Sequence, residues 1–203
     1  LIRVGLTGTL GAGKSTVGRL FESWGAWRVD ADRLARDAVA PGSSALAEIR
    51  ERFGDAVLAA DGSLDRAALR RRVFDRPAER EALERIVHPA VRELRTRELE
   101  AARRAGARVV VAEIPLLFET GMRDDFDVVV VVDAPAALRR ERIQVERALE
   151  PGTFEAIETV QWPAERKRAA ADLVIPNDGD REALERRARE AWETILAHAG
   201  TEA

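Results

Sequence analysis

The sequence predicts an α/β fold, a three-layer α/β/α arrangement on one parallel five-stranded sheet, with a helical insertion and a lid. Three observations predict it. Short apolar runs alternate with helical periodicities along most of the 203 residues. Several of those runs are apolar throughout, as strands are when helices cover both faces. The first run stops at a glycine-rich loop that leads into a helix.

Element by element, "LIRVGLT" is an opening strand that stops at Gly8, and "GKSTVGRLFESWG" places Val17, Leu20, Phe21 and Trp24 at helical spacing. "AWRVD" at 26–30 reads as a second strand, followed by "VVVAEI" at 109–114, "DVVVVVD" at 127–133 and "DLVI" at 172–175. Residues 65–105 hold three helical patterns with no strand between them, and Pro89 suits the first turn of a new helix. A second helical stretch, strongly charged, fills 137–169. The expected organisation is a core of 1–60, 106–136 and 170–203, a helical subdomain at 61–105 and a lid at 137–169. The last segment, "REALERRAREAWETILAHAG", is an amphipathic packing helix with Leu184, Ala188, Ala191 and Ile195 on one face.

Composition narrows the function classes. At 46% hydrophobic and 34% charged residues the chain has the balance of a soluble globular protein, and no stretch reads as a membrane span or signal segment. The absence of cysteine excludes disulfides and thiolate metal sites. A net charge of −3 argues against non-specific nucleic-acid binding. The expectation is a cytoplasmic protein with no nucleic-acid or membrane partner, monomeric or weakly self-associating.

The loop "GLTGTLGAGKST" carries the chemistry. Gly8, Gly13, Lys14 and Ser15 give the spacing G-x-x-x-x-G-K-[ST] where a strand ends and a helix begins, the mark of a P-loop nucleotide-binding fold. Glycines, with Gly11 among them, let successive N–H groups turn inward, and the helix start adds partial positive charge. A triphosphate fits such a cradle, lined by Gly8, Leu10, Gly11, Ala12 and Gly13. Lys14 would reach the β- and γ-phosphates, Ser15 would be a ligand of Mg²⁺, and Thr16 would cap the helix or touch phosphate. The chain writes every cation but two as arginine, so a lysine here marks a place for a point charge.

Nucleotide binding does not choose a reaction, and the acceptor side is read from other residues. "VDAD" puts Asp30 and Asp32 at the carboxyl end of the second strand, where one could take the proton of an attacking hydroxyl. Asp32 could equally cap the helix that follows. Glu113 ends the third apolar run, either to hold Mg²⁺ through water or as a salt-bridged structural acid. The charged lid carries Arg139, Arg140, Arg142, Arg147, Gln161, Arg166 and Arg168, and of these Arg142 and Arg147 are the candidates to steady a transferring phosphoryl group. His88 in "IVHPAV" has a packing or a substrate role.

Taken in order, "TGTLGAGKST", "VDADRLAR", "FGDAVLAADGSLDRAALRRRVF", "RIVHPAVR", "VVVAEIPLLFETG" and "ADLVIPNDG" resemble the dephospho-coenzyme A kinases over nearly the whole chain. The resemblance implies a P-loop core like that of nucleoside monophosphate kinases. It also implies phosphorylation of the ribose 3′-hydroxyl of dephospho-CoA with ATP and Mg²⁺, the last step of coenzyme A synthesis. The subdomain at 61–105 would then bind CoA. By the same resemblance Asp32 is the general base with Asp30 beside it. Arg36, His88, Arg92, Leu116, Phe118 and Glu119 line the acceptor site, and Asn177 lies near adenine. The sequence departs from the usual family pattern at Thr9, where a second glycine is common, and at Glu113, where aspartate is. Another small-molecule or nucleoside monophosphate kinase is the alternative. A GTP switch would need D-x-x-G and N-K-x-D, and neither occurs.

Overall fold

The computed structural model describes residues 1–147 and 153–200, the side chains of 145–147, 153, 155, 156, 199 and 200 excepted. The chain divides into two units, one of Leu1–Asp30 with Ala102–Ala203 and one of Ala31–Ala101.

The first unit is built on five parallel strands, β1 (Ile2–Thr7), β2 (Trp27–Asp30), β3 (Val109–Glu113), β4 (Val128–Asp133) and β5 (Leu173–Pro176). Their spatial order is β2-β3-β1-β4-β5. β3 is buried throughout, and β4 in all but its last residue, which is why their sequences are continuous valine-rich runs instead of alternating ones. The edge strands β2 and β5 are only partly buried. The register sets Leu6 beside Glu113 and Asp30 beside Glu113, so β1, β2 and β3 deliver their last residues to one edge. In doubly wound sheets that edge is where ligands bind.

Helices close both faces of the sheet. α1 (Lys14–Ser23) buries Val17, Gly18 and Phe21, a stripe at helical spacing. Further along the chain are α6 (Ala136–Arg147), α7 (Thr153–Val160), α8 (Ala164–Ala169) and α9 (Arg181–Gly200). α9 packs Leu184, Ala188, Ala191, Trp192 and Ile195 into the core that holds Val4, Leu6 and Phe21. The Phe21 and Trp192 rings lie 5.4 Å apart. Each fully buried side chain of this size stabilises the fold by roughly 1.5–3 kcal/mol.

The second unit contains α2 (Ala31–Asp37), α3 (Ser44–Phe53), α4 (Arg66–Val73) and α5, which runs from Pro77 to Arg104 and so continues into the first unit. Ser43 caps α3 by accepting the Leu46 N–H at 3.1 Å, and Asp65 caps α4 by accepting that of Ala68 at 2.9 Å. This helical unit begins at Ala31 and not at residue 61. The physical reason is a shared core, in which Val39, Ala45, Ile49, Phe53 and Val57 pack with Leu69 and Ala82. Pro89 does not open a helix but lies inside α5. Its missing N–H costs one main-chain bond, which the rest of this 28-residue helix tolerates. Among the described residues no helix is long and apolar enough to cross a membrane.

Candidate active site

β1 ends at Thr7, and the chain passes through Gly8, Gly11 and Gly13 at φ of 147°, 75° and 97° before entering α1. These torsions favour glycine, and close packing forbids anything larger. A Cβ on Gly8 would overlap the Val132 carbonyl of β4, and one on Gly11 would crowd the Arg139 carbonyl of α6. A Cβ on Gly13 would overlap the Asn177 amide. The loop therefore takes glycine at these positions because three neighbouring segments press against it.

Among the described residues no side chain caps α1, which Gly13 enters in a left-handed conformation. A helix start without a side-chain cap is a place where an anion binds, because the dipole of the helix favours negative charge there. Ser15 is exposed at this turn. Thr16 supplies no cap, and its N–H goes to the Gly13 carbonyl at 3.1 Å. The Lys14 ammonium donates to the Gly8 and Thr9 carbonyls at 3.0 Å each, which folds it over the loop. Leu10 donates its N–H to Gln161 Oε1 at 3.0 Å and accepts from Arg139 Nη1 at 3.2 Å, so its amide is committed to protein. The Ala12 carbonyl accepts from Asn177 Nδ2 at 2.8 Å.

The arginines of α6 and α8 divide by partner. Arg142 Nη2 donates to the carbonyl and the side-chain oxygen of Asn177 at 3.2 and 3.3 Å, while its Nη1 is buried with no hydrogen-bond partner among the described residues. Arg142 thereby stands next to the residue that touches Gly13. Arg139 is 5% exposed and pairs with Glu158 at 2.7 Å. Arg140 stacks on Phe154, Arg166 on Trp162, and Arg168 pairs with Asp133 at 2.6 Å. The side chain of Arg147 lies outside the described residues.

At the sheet edge, Arg28 Nε donates to Glu113 Oε1 at 2.5 Å. The pair sits against Gly18, where any Cβ would strike it. Burial lowers the Arg28 pKa, but the hydrogen bond and charge of Glu113, helped by Glu22 and Asp30, outweigh it and leave the guanidinium above its ordinary value. Glu113 is thus salt-bridged. Asp32 falls within the first turn of α2, so it is not the residue before the helix, and its charge favours the helix start through the dipole.

The remaining acceptor candidates are divided between the two units. Arg36 is in the last turn of α2. His88 and Arg92, four apart on α5, line a shallow pocket of about 410 Å³ with Arg85 and Glu84. In the sheet unit, Phe118 is buried and stacks on Trp162 with ring centroids 5.5 Å apart, while Leu116, two residues before it, is half-buried. Glu119 Oε1 accepts the Trp162 N–H and pairs with Lys167 at 2.9 Å.

A magnesium ion fits this loop. Among the described residues no three acidic or histidine side chains form a metal cage, but Mg²⁺ bound with phosphates takes few protein ligands and keeps several waters. The exposed Ser15 hydroxyl at the uncapped helix start meets that need. Trp162, Lys167 and the Arg139–Glu158 pair were not singled out by sequence reasoning as a connected group. One signal was present: Lys167 is the other lysine in a chain that otherwise uses arginine.

Comparison with known proteins gives the same direction. The model of the dephospho-CoA kinase family matches residues 2–183. A dephospho-CoA kinase of Thermobifida fusca is 44% identical over 195 residues, 96% of this chain and 96% of that protein. A crystal structure from Thermus thermophilus superposes with a TM-score of 0.84 at 40% identity, covering 97% of both chains. A dephospho-CoA kinase from Campylobacter jejuni, at 23% identity and TM-score 0.64 over 95% of this chain and 96% of that one, shares the fold. Since the match runs from the first strand into the C-terminal helix, the chain belongs to the dephospho-CoA kinase family.

Proposed function

We propose that this chain transfers the γ-phosphoryl group of ATP to the ribose 3′-hydroxyl of dephospho-CoA, giving coenzyme A and ADP. The observation that carries the reading is an uncapped helix start behind a glycine loop, in a chain of this family.

Lys14, the Gly11, Gly13 and Ser15 amides and the Thr16 hydroxyl hold the phosphates, with Gly8 and Ala12 giving them room. The Asn177–Arg142 pair holds the nucleoside end of ATP beside Gly13, and Arg142 and Arg147 balance charge as the phosphoryl moves. Asp32 takes the proton of the 3′-hydroxyl as its oxygen bonds to the γ-phosphorus, and the bond from that phosphorus to the β,γ-bridging oxygen breaks to release ADP. Asp30, Arg36, His88, Arg92, Leu116, Phe118 and Glu119 hold the acceptor, with the helical unit Ala31–Ala101 as its binding subdomain and 137–169 as the lid. Ser15 directly and Glu113 through water would hold Mg²⁺, which would supply positive charge to offset that of the phosphates. The protein works among soluble metabolites in the cytoplasm.

An assay of ADP release tests this. Release that requires dephospho-CoA is the expected result. Release supported instead by nucleoside monophosphates, or independent of any acceptor, overturns it.

A further inference from the structure

Lys167 is wholly buried, which is rare for a lysine unless it is paired. It lies in α8, within "AERKRAA", a run that otherwise reads as solvated surface. Its ammonium reaches Glu119 Oε1 and the Pro115 carbonyl, both at 2.9 Å. The Pro115 carbonyl also accepts from Thr7 Oγ1, at the end of β1, at 3.4 Å. The same Glu119 oxygen accepts the Trp162 N–H, while the Trp162 ring lies flat on Phe118, with 9° between planes. Gln161, the preceding residue, receives the Leu10 N–H of the phosphate loop.

These bonds form one connected path from the buried ammonium to the tip of the phosphate loop. We propose that Lys167 is a positioning residue for phosphoryl transfer, which fixes Glu119 and through it the turn that carries Gln161 onto Leu10. This rests on the reading of the loop as the ATP site. The ammonium touches no substrate in this role. It sets the posture of the Gln161 turn against both the loop after β3 and the phosphate loop. Without the positive charge, the Glu119 carboxylate, whose side chain is largely shielded from solvent, loses its charge partner. The Trp162 main chain then loses its anchor, and Gln161 its fixed reach to Leu10.

The test is hydrogen exchange of individual amides in the nucleotide-free protein, together with steady-state kinetics. Lys167→Met should speed exchange of the Leu10 amide at least tenfold while the Val4 and Val130 amides of the sheet change less than twofold. It should also lower kcat/KM for ATP about tenfold. The double variant Gln161→Ala/Lys167→Met should be no worse in kcat/KM than Gln161→Ala alone, because both cut the same path. Unchanged Leu10 exchange, uniform acceleration of all three amides, or additive kinetic losses would each overturn the proposal. If Lys167→Met does not fold, Glu119→Gln, which keeps shape and lacks the charge, should speed Leu10 exchange about threefold, and no change there overturns it equally. Exchange is read without substrate, so its outcome does not depend on the dephospho-CoA assay, and the failure of one is distinguishable from the failure of the other.

Discussion

Arg28 and Glu113 face each other at 2.5 Å from neighbouring strands, with the carboxylate resting on Gly18 of α1. The acid side chain is only 9% exposed and its partner 20%. Removing one member of such a pair leaves an uncompensated charge, and that loss exceeds what the intact pair contributes. Arg28→Met should therefore destabilise the protein by about 3 kcal/mol in urea unfolding, and adding Glu113→Leu should recover most of it. A single variant as stable as the parent would show that the carboxylate finds water without Arg28.

Two substitutions at the proposed site should fail in different ways. Lys14→Ala should weaken ATP binding and lower kcat/KM for ATP, because a point charge on the phosphates is lost. Asp32→Asn should lower kcat by about 10²–10⁴ and leave ATP binding intact, the usual contribution of a placed base. Calorimetric ATP titration beside turnover separates the two, and a near-normal kcat for Asp32→Asn over a wide pH range removes the base assignment.

Gly8 and Gly25 make a matched pair. Both have positive φ, 147° and 103°, but an added Cβ meets the Val132 carbonyl at the first and no described residue at the second. Backbone strain alone costs of order 1–3 kcal/mol at either position. Gly8→Ala should lose clearly more stability than Gly25→Ala, as read from urea midpoints, since a carbonyl in a central strand cannot step aside.

Acid should find a weak point at the start of β1. Asp127 accepts from the Arg3 main chain at 2.8 Å and from its guanidinium at 3.1 and 2.5 Å. The hydrogen bond from the Arg3 side chain holds the Asp127 carboxyl below its ordinary value, against the opposing effect of burial. A carboxyl lowered by folding adds stability above its unfolded pKa of about 4 and loses it as pH falls through the folded value. Because both side chains are 41% exposed, solvent screening limits the pair to about 0.5–1 kcal/mol. Asp127→Asn should cost that much at pH 7 and progressively less as pH falls below about 4, in thermal melts across that range.

Much of the sheet could be read from sequence because burial on both faces writes itself as unbroken apolar runs, as in 109–112 and 128–132. The phosphate loop was legible because glycine spacing and the strand-to-helix context coincide. What the spacing did not convey is why those glycines are tight, since the Val132, Arg139 and Asn177 contacts join residues far apart in the chain. Lys167 was hidden for a similar reason. Its neighbours Arg166 and Arg168 turn to Trp162 and Asp133, and the tertiary positions of Glu119 and the Pro115 carbonyl turn the lysine inward. The unit boundary at Ala31 depends on which helices share a core, a matter of side-chain packing that periodicity does not specify.

The valine run of β4, silent in the folded protein, matters most before folding ends. Five successive β-branched residues without a charge form the kind of segment that zips onto copies of itself. Parallel pairing of β4 with β1 must wait for over a hundred intervening residues to come together, which is intrinsically slow. Recovery from denaturant is accordingly a race between intramolecular docking and clumping, and yield should fall as protein concentration rises.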